Sequence, residues 1–96
     1  PDEIKKKLNF TLTGNILQIS CKDHSLPKIF LYNKDNIYVQ YFNDTEQLTK
    51  IFKEHIYTIS VPLQGIDKGK YQAGIEYIDN EPNICLYNTG YWIDIK

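Results

Sequence analysis

Few side chains in this sequence could do chemistry, and their spacing matches no catalytic or metal-binding pattern. His24 and His55 stand in a polar loop and at the start of a strand, without the close spacing of a zinc pair. Glu76 and Asp94 could face each other across the last two strands as a carboxylate pair, but we interpret them as two solvated outward charges, because nothing around them in the sequence is apolar enough to favour a protonated carboxyl. No serine lies in a GxSxG turn. We therefore predict no enzyme activity, no metal site and no cofactor.

The two cysteines, Cys21 and Cys85, leave two interpretations open. They lie too far apart along the chain for a CxxC redox or zinc motif. In an oxidising compartment they could form a disulfide, which would stabilise the fold by about 4 kcal/mol in the chain-entropy model. Two buried free thiols fit the sequence equally well, because it does not show the distance between them. A nucleophilic role would need a nearby base that we cannot place.

The charge balance excludes several classes of partner. The formal net charge is −1 and all 11 basic residues are lysines. Because arginine is the preferred reader of phosphates and guanine edges, we expect no nucleic-acid binding, and we interpret the run Lys5–Lys7 as a solvated end. No stretch is apolar enough to span a bilayer. The chain starts without Met or a charged-then-apolar leader, so a signal peptide could already have been removed.

Alternation of apolar and polar residues runs along nearly the whole chain and predicts an all-β fold. Leu8, Phe10 and Leu12 alternate with polar residues, and Gly14-Asn15 then predicts a turn into the next strand. Polar turn residues interrupt the pattern at fairly regular intervals. About seven strands in 96 residues indicate one immunoglobulin-like antiparallel β-sandwich domain covering residues 1–96.

The period changes in one segment, between residues 44 and 55. Leu48, Ile51, Phe52 and His55 fall on one face of a helix there. Twelve residues are marginal for an independent helix. We predict a short helix or an irregular crossover near residues 45–54.

The stretch LQGIDKGKY predicts the corner of a sandwich. Gly65 and Gly69 would supply the positive φ angles of a tight connection, and Tyr71 begins the penultimate strand. A tyrosine just after the turn Asp67-x-Gly69 is typical of a tyrosine corner, in which the hydroxyl bonds back to the preceding connection. Gly90, in the last strand, predicts a bulge or bend.

At these stretches the chain resembles a known group. The hairpin PKIFLYNKDNIYVQYFND, the segment YTISVPLQGIDKGKYQAGIEY and the ending NTGYWIDI are similar to short secreted immunoglobulin-like proteins of gut Bacteroidetes, a family of unknown function. The ending also resembles carboxy-terminal sandwich modules of secreted bacterial proteins, which carry L-x-x-I-x-x-G-x-Y and then G-x-aromatic-x-I. This chain departs at the last position, where Asp94 replaces the apolar residue. The resemblance covers roughly residues 16 to 95. It implies a sandwich fold and a secreted, periplasmic or outer-surface location with the signal peptide removed, and it implies no activity and no functional residues.

One set of residues carries a functional hypothesis. In the strands that carry this set, the alternating pattern would turn one group of residues toward the core, namely Ile29, Leu31, Ile37, Val39, Tyr41, Ile75 and Ile93. The aromatic residues between them then point outward on one sheet, namely Phe30, Tyr32, Tyr38 and Trp92. Such a patch suits stacking on sugar rings or anchoring a protein, although the aromatics could instead pack on one another, or Trp92 could turn inward at Gly90. We predict a binding module for a glycan or protein at the cell exterior. The alternative is a structural or self-associating accessory domain of a larger surface assembly, whose exposed sheet pairs with a second copy in a homodimer or with that assembly.

Overall fold

A computed structural model of the chain describes residues 2–43, 48–78 and 84–96. Within these ranges the chain forms one short helix and eight strands. The elements are α1 (Asp2–Lys7), β1 (Leu8–Thr13), β2 (Ile16–Lys22), β3 (Lys28–Asn33), β4 (Tyr38–Asn43), β5 (Thr49–Lys53), β6 (Ile56–Pro62), β7 (Gly69–Ile78) and β8 (Ile84–Ile95). The prediction of an all-β fold is therefore confirmed.

The strands form two antiparallel sheets. The first sheet has the order β1-β2-β6-β5, and the second has the order β4-β3-β7-β8. Alternate residues of the inner strands point to the same side, so both sheets contribute to one buried cluster. Its largest fully buried side chains are Leu17, Ile19, Leu26, Ile29, Leu31, Ile59, Ile75, Val61 and Cys21. The first sheet thus covers one side of the core and the second sheet covers the other.

The helix predicted near residues 45–54 is wrong where the structure describes that segment. Residues Thr49–Lys53 form β5, which pairs with β6 from Thr49 opposite Ser60 to Lys53 opposite Ile56. Residues 45–47 of the predicted helix lie outside the described residues. Pairing with β6 satisfies the backbone groups of one side of β5, whereas a helix this short gains little without tertiary support. The long-range partner therefore overrides the local period.

The described helix lies instead at the amino-terminal end. Residues Asp2–Lys7 form α1, and Lys5 and Lys6 are exposed, as expected of a solvated run. Ile4 is only 3% exposed and belongs to the core cluster. The lysine run is thus carried by a helical turn that Ile4 holds against the sandwich.

The inward face of β4 differs from the prediction. Ile37 and Val39 were predicted to face the core, but they are 59% and 43% exposed. Phe42 occupies the core instead, at 3% exposure, opposite Ile29 of β3. The side chain of Tyr41, also predicted to face inward, lies outside the described part of the chain.

A β-bulge causes this difference. Leu31 pairs with Gln40, but the next residue of β3, Tyr32, pairs with Tyr38, so Val39 is an extra residue between the two pairs. An extra residue reverses the alternation on one side of the bulge. As a consequence Tyr38 still reaches the outer face, as predicted, although the residues on either side of it do not face the core.

The connection before β7 is tied down by Tyr71. Its side chain is 7% exposed, and its hydroxyl donates a hydrogen bond to the backbone carbonyl of Asp67 at 2.7 Å. The ring lies back over Gly69, where an added Cβ would be 3.5 Å from it. Gly65 and Gly69 have φ angles of 89° and 156°, so both are positive as predicted. The start of β7 is therefore fixed to the connection that precedes it.

Replacing Tyr71 by Phe tests the contribution of this hydrogen bond. We expect Tyr71→Phe to lower the free energy of unfolding by about 1 kcal/mol, since the ring stays buried and only one hydrogen bond is lost. Urea denaturation measures the change. The matched control is Tyr87→Phe, because the described residues provide no hydrogen bond to the hydroxyl of Tyr87, and we expect a change below about 0.5 kcal/mol. Equal effects of the two substitutions would contradict the assigned role of the Tyr71 hydroxyl.

Candidate ligand-binding face

The outer face of the second sheet brings the predicted aromatic residues together. Tyr38 of β4 pairs with Tyr32 of β3, which pairs with Gln72 of β7, which pairs with Trp92 of β8. These four residues form one row across all four strands of the sheet. Phe30 lies two residues from Tyr32 on β3 and therefore on the same face. We call this surface the aromatic face.

Three of the rings form a compact cluster. The ring centroids of Phe30, Tyr32 and Tyr38 lie 6.4 Å from one another in each pair, with interplanar angles between 32° and 68°. Tilted and edge-to-face contacts at this separation are favourable for aromatic rings. Tyr38 is 49% exposed, whereas Phe30 and Tyr32 are half-buried. The cluster, here called the aromatic trio, is thus both self-supporting and open to solvent.

Trp92 forms a second aromatic area on this face. It is 40% exposed, while its neighbour Ile93 is buried at 3%. The ammonium of Lys70 lies 5.5 Å from the centroid of its ring, within the range of a cation–π contact. Gln72 separates Trp92 from Tyr32, so about 10 Å of sheet, two strand spacings, lies between the two aromatic areas. A polar amide thus stands between two ring surfaces.

A bulge in β8 determines which aromatic side chain faces outward. The register of β7 and β8 shifts between Gln72 and Gly74, and Gly90 has a φ of 73°, so the bulge predicted at Gly90 is confirmed. The buried hydroxyl of Thr89 donates to the carbonyl of Ala73 at 2.8 Å and accepts from the backbone N–H of Tyr91 at 3.1 Å. These bonds satisfy backbone groups near the point where the ladder is disrupted.

The bulge turns Tyr91 toward the interior and leaves Trp92 outside. The half-buried ring of Tyr91 stacks on Phe10 of β1, with centroids 4.4 Å apart and an interplanar angle of 10°. This contact joins the first and second sheets along one side. Sequence analysis left the facing of Trp92 open, and the structure places it on the aromatic face.

A depression lies beside the aromatic trio. Its volume is about 220 Å³, and its lining residues come from β3, the β3–β4 turn, β7 and β8, namely Phe30, Tyr32, Asn36, Gly74, Ile75, Leu86, Tyr87 and Asn88. Sequence analysis singled out two of these residues, Phe30 and Tyr32, as candidate site residues. Of the other lining residues, Gly74 could have been recognised in the sequence, because an isolated glycine inside a strand pattern indicates that another group approaches the backbone closely.

The remaining candidate residues do not assemble into a catalytic site. Asp94 pairs with Lys70, whereas Glu76 pairs with Leu86, so the two carboxylates lie at opposite ends of β7 and do not face each other. The imidazole of His24 contacts the carbonyl of Ile78 through Nδ1 at 2.9 Å. The side chain of His55 is 81% exposed at the β5–β6 turn, and its Nδ1 lies 3.9 Å from Oδ1 of Asp23. Within 2–43, 48–78 and 84–96, no group of three metal-ligating side chains occurs.

Both cysteines are free thiols. Cys21 is buried on β2 of the first sheet, and Cys85 is half-buried on β8 of the second sheet. Burial removes the Cys21 sulfur from water and raises the pKa of its thiol from 9.0 to about 11. A thiol with a raised pKa is a poor nucleophile at neutral pH, because little thiolate forms.

Two further findings concern the described chain as a whole and its comparison with known proteins. None of its described helices is long and apolar enough to cross a membrane. Comparisons with family models, curated proteins and solved structures find no match to this chain.

Proposed function

We propose that this chain is a non-catalytic, immunoglobulin-like module at the cell exterior that binds a glycan through its aromatic face. The strand order supports the immunoglobulin-like assignment. With β1 to β8 named A, B, C, C′, D, E, F and G, the first sheet has the order A-B-E-D and the second has C′-C-F-G, as in that fold. Export is proposed from the family resemblance of the sequence alone.

The single observation that carries the proposal is the row of side chains across the second sheet. Tyr38, Tyr32, Gln72 and Trp92 lie in register, with ring surfaces at both ends and an amide between them. Sugar rings present C–H groups on their faces and hydroxyls at their edges. Exposed aromatic rings pack against the C–H faces of a sugar, and amides form hydrogen bonds with its hydroxyls. A flat, partly polar face of this kind therefore suits an extended glycan.

The chemistry of the other side chains supports a binding rather than a catalytic role. His24 is held between the carbonyl of Ile78 and the ammonium of Lys7, at 2.9 and 3.3 Å. Glu76 and Asp94 belong to different pairs of the β7–β8 ladder. The net charge of −1 and the lack of arginine argue against nucleic acid as the ligand.

A titration of tryptophan fluorescence tests the proposal, because Trp92 is the only tryptophan. At 40% exposure we expect a red-shifted emission that acrylamide quenches. Addition of the correct polysaccharide from a panel should shift this emission and protect it from quenching. Emission that no glycan in the panel changes would contradict glycan binding at this face.

Substitution of Trp92 then measures its contribution. We expect Trp92→Ala to weaken glycan binding by at least about tenfold in isothermal titration calorimetry, because a stacked aromatic ring is a typical hot spot. The free energy of unfolding should change little, since the side chain is solvent-exposed. The matched control is Phe52→Ala, which removes an aromatic ring that is 57% exposed on β5 of the other sheet. Equal losses for both variants would contradict a role for the aromatic face.

A second candidate function, self-association, is favoured by the edge strand β4. Three consecutive apolar residues at its start are exposed, Ile37 just before the strand at 59%, and Tyr38 and Val39 within it at 49% and 43%. Among the described strands β4 pairs with β3 alone, which makes it an edge strand to which a second copy of the chain can add a strand. Under this proposal the aromatic face is part of a homodimer.

Sedimentation velocity from micromolar to millimolar protein concentration tests self-association. If β4 is the interface, the wild type forms a dimer as concentration rises, and Val39→Lys remains monomeric because it places a charge on the edge strand. Ile51→Lys on the edge strand β5 serves as the control and should still form the dimer. A wild type that is monomeric at every concentration would rule out this candidate.

A further inference from the structure

The depression beside the aromatic trio exists because residue 74 is glycine. A Cβ at Gly74 would lie 2.9 Å from Cε2 of Tyr32 and 3.6 Å from Cβ of Phe30. No such clash exists with glycine, so the ring of Tyr32 lies over the backbone of β7. Gly74 is buried even though it belongs to the outer face of the sheet, since it pairs with Phe30 on one side and Asn88 on the other. Because Gly74 has no side chain, the surface of the sheet is recessed at this point.

Glycine is a costly residue in the middle of a strand. It weakens the strand relative to alanine, and it is typical of places where a ligand or another group approaches the backbone closely. At Gly74 the group that approaches is Tyr32, and the space left beside it is open to solvent. The walls are the rings of Phe30 and Tyr32 on one side and Leu86 and Asn88 of β8 on the other.

The lining of the depression is uncharged. It consists of residues with aromatic or aliphatic side chains, Gly74, and the two asparagines Asn36 and Asn88. Both asparagines are exposed, so their amides are accessible to a ligand. Each amide offers two N–H donors and a carbonyl acceptor, which match the donor and acceptor pattern of neighbouring hydroxyl groups. In the next row of the sheet, Lys28 lies opposite Glu76, so this row carries one charge of each sign.

Size and charge together define the ligand. The volume of about 220 Å³ lies below the roughly 300 Å³ at which pockets for drug-sized molecules begin, so one ring fits and an extended molecule does not. A carboxylate would lose hydration in the depression without a cation in the lining to replace it. We infer that the depression seats one neutral sugar ring of the glycan, stacked on Tyr32 and hydrogen-bonded by Asn36 and Asn88. This inference rests on the proposed glycan-binding function and names the subsite and the charge of the sugar.

Nuclear magnetic resonance on the full chain tests the subsite directly. The probes are the methyl glycosides of glucose, galactose, mannose and N-acetylglucosamine, with methyl glucuronide and N-acetylneuraminic acid as acidic counterparts. We expect at least one neutral probe to shift the backbone amide of Gly74 and the side-chain amides of Asn36 and Asn88. The acidic probes should bind at least about tenfold more weakly.

Variants then connect the binding to the geometry. Gly74→Ala should weaken binding of the neutral probe by about tenfold, because the methyl group of the alanine displaces the ring of Tyr32. In a Tyr32→Ala background the same substitution should have no further effect, since the ring it displaces is gone. Asn88→Ala should also weaken binding, whereas Asn9→Ala, an exposed amide on β1 of the other sheet, should not. The dispersion of each variant's spectrum verifies that it is folded.

The outcomes separate this inference from the proposed function. Shifts confined to the depression and to neutral probes support the subsite. If a polysaccharide changes Trp92 emission while no probe shifts Gly74, Asn36 or Asn88, the subsite is wrong and glycan binding stands. If acidic probes bind as tightly as neutral ones, the assigned charge is wrong. If neither polysaccharides nor probes bind, both the subsite and the proposed function are overturned.

Discussion

Phe42→Ala is expected to lower the free energy of unfolding by about 3–5 kcal/mol, the usual cost of deleting a buried phenylalanine ring. Phe42 is 3% exposed, lies opposite Ile29 and belongs to the core cluster. The substitution removes apolar surface from the core and leaves a cavity that the two sheets fill only in part. Because domains of this size are stable by about 5–15 kcal/mol, the variant loses a large part of its stability. Urea denaturation at neutral pH measures the loss.

The control lies three residues earlier on the same strand. Val39 is 43% exposed at the bulge, so Val39→Thr, which keeps the shape and the β-branch, should change the free energy of unfolding by less than about 0.5 kcal/mol. Simple alternation along β4 predicts the reverse, with Val39 in the core and a buried hydroxyl in the variant costing about 1–3 kcal/mol. A large effect at Val39 together with a small one at Phe42 would contradict the bulge.

The β4 result shows what local alternation in the sequence can and cannot predict. On β3, the prediction of buried Ile29 and Leu31 with Phe30 and Tyr32 on the other face is correct, because no bulge interrupts that strand's own alternation. On β4 the same reasoning fails at Val39, since the extra residue is defined by the pairing with β3. The register of an edge strand depends on its partner, which the sequence of the strand does not contain.

The segment around β5 fails for a related physical reason. Its residues have a helical period, and a helix satisfies its backbone within one segment, whereas a strand needs a partner. β6 supplies that partner, and five residues of each strand pair. Conversely, α1 has only six residues, too few for a periodic signal in the sequence. Both differences arise from tertiary contacts that outweigh weak local preferences.

The aromatic part of the candidate site was predictable, whereas the two asparagines that line the depression were missed. Phe30, Tyr32, Tyr38 and Trp92 were predicted to share one face, and the structure puts them there. The amides of Asn36 and Asn88 come from a turn and from another strand, so only the folded sheet brings them to the same depression. The position of Asn36 also depends on the backbone of the β3–β4 turn, where its φ is 62°.

Cys21 gives rise to the second large effect, a loss of stability in alkaline solution. The thiol is buried between the sheets, and burial raises its pKa in the folded protein from 9.0 to about 11. Below pH 9 both the folded and the unfolded states hold the proton, so the contribution of this thiol to stability is fully present. Between pH 9 and 11 the unfolded state releases the proton first, which favours unfolding. The free energy of unfolding therefore falls by up to about 2–3 kcal/mol across this window.

A comparison with Cys21→Ala isolates this effect from the groups that the two proteins share. The groups shared by both proteins cancel in the difference between their unfolding free energies, which should shrink by about 2–3 kcal/mol from pH 8 to pH 11. Cys85→Ser, at the half-buried cysteine, should lose stability across this range as the wild type does. Alkylation provides an independent measure, because a pKa raised by two units cuts the thiolate of Cys21 about a hundredfold at pH 8. Cys21 should then react with iodoacetamide at least that much more slowly in folded than in urea-unfolded protein, and equal rates in the two states would show that the thiol is not buried.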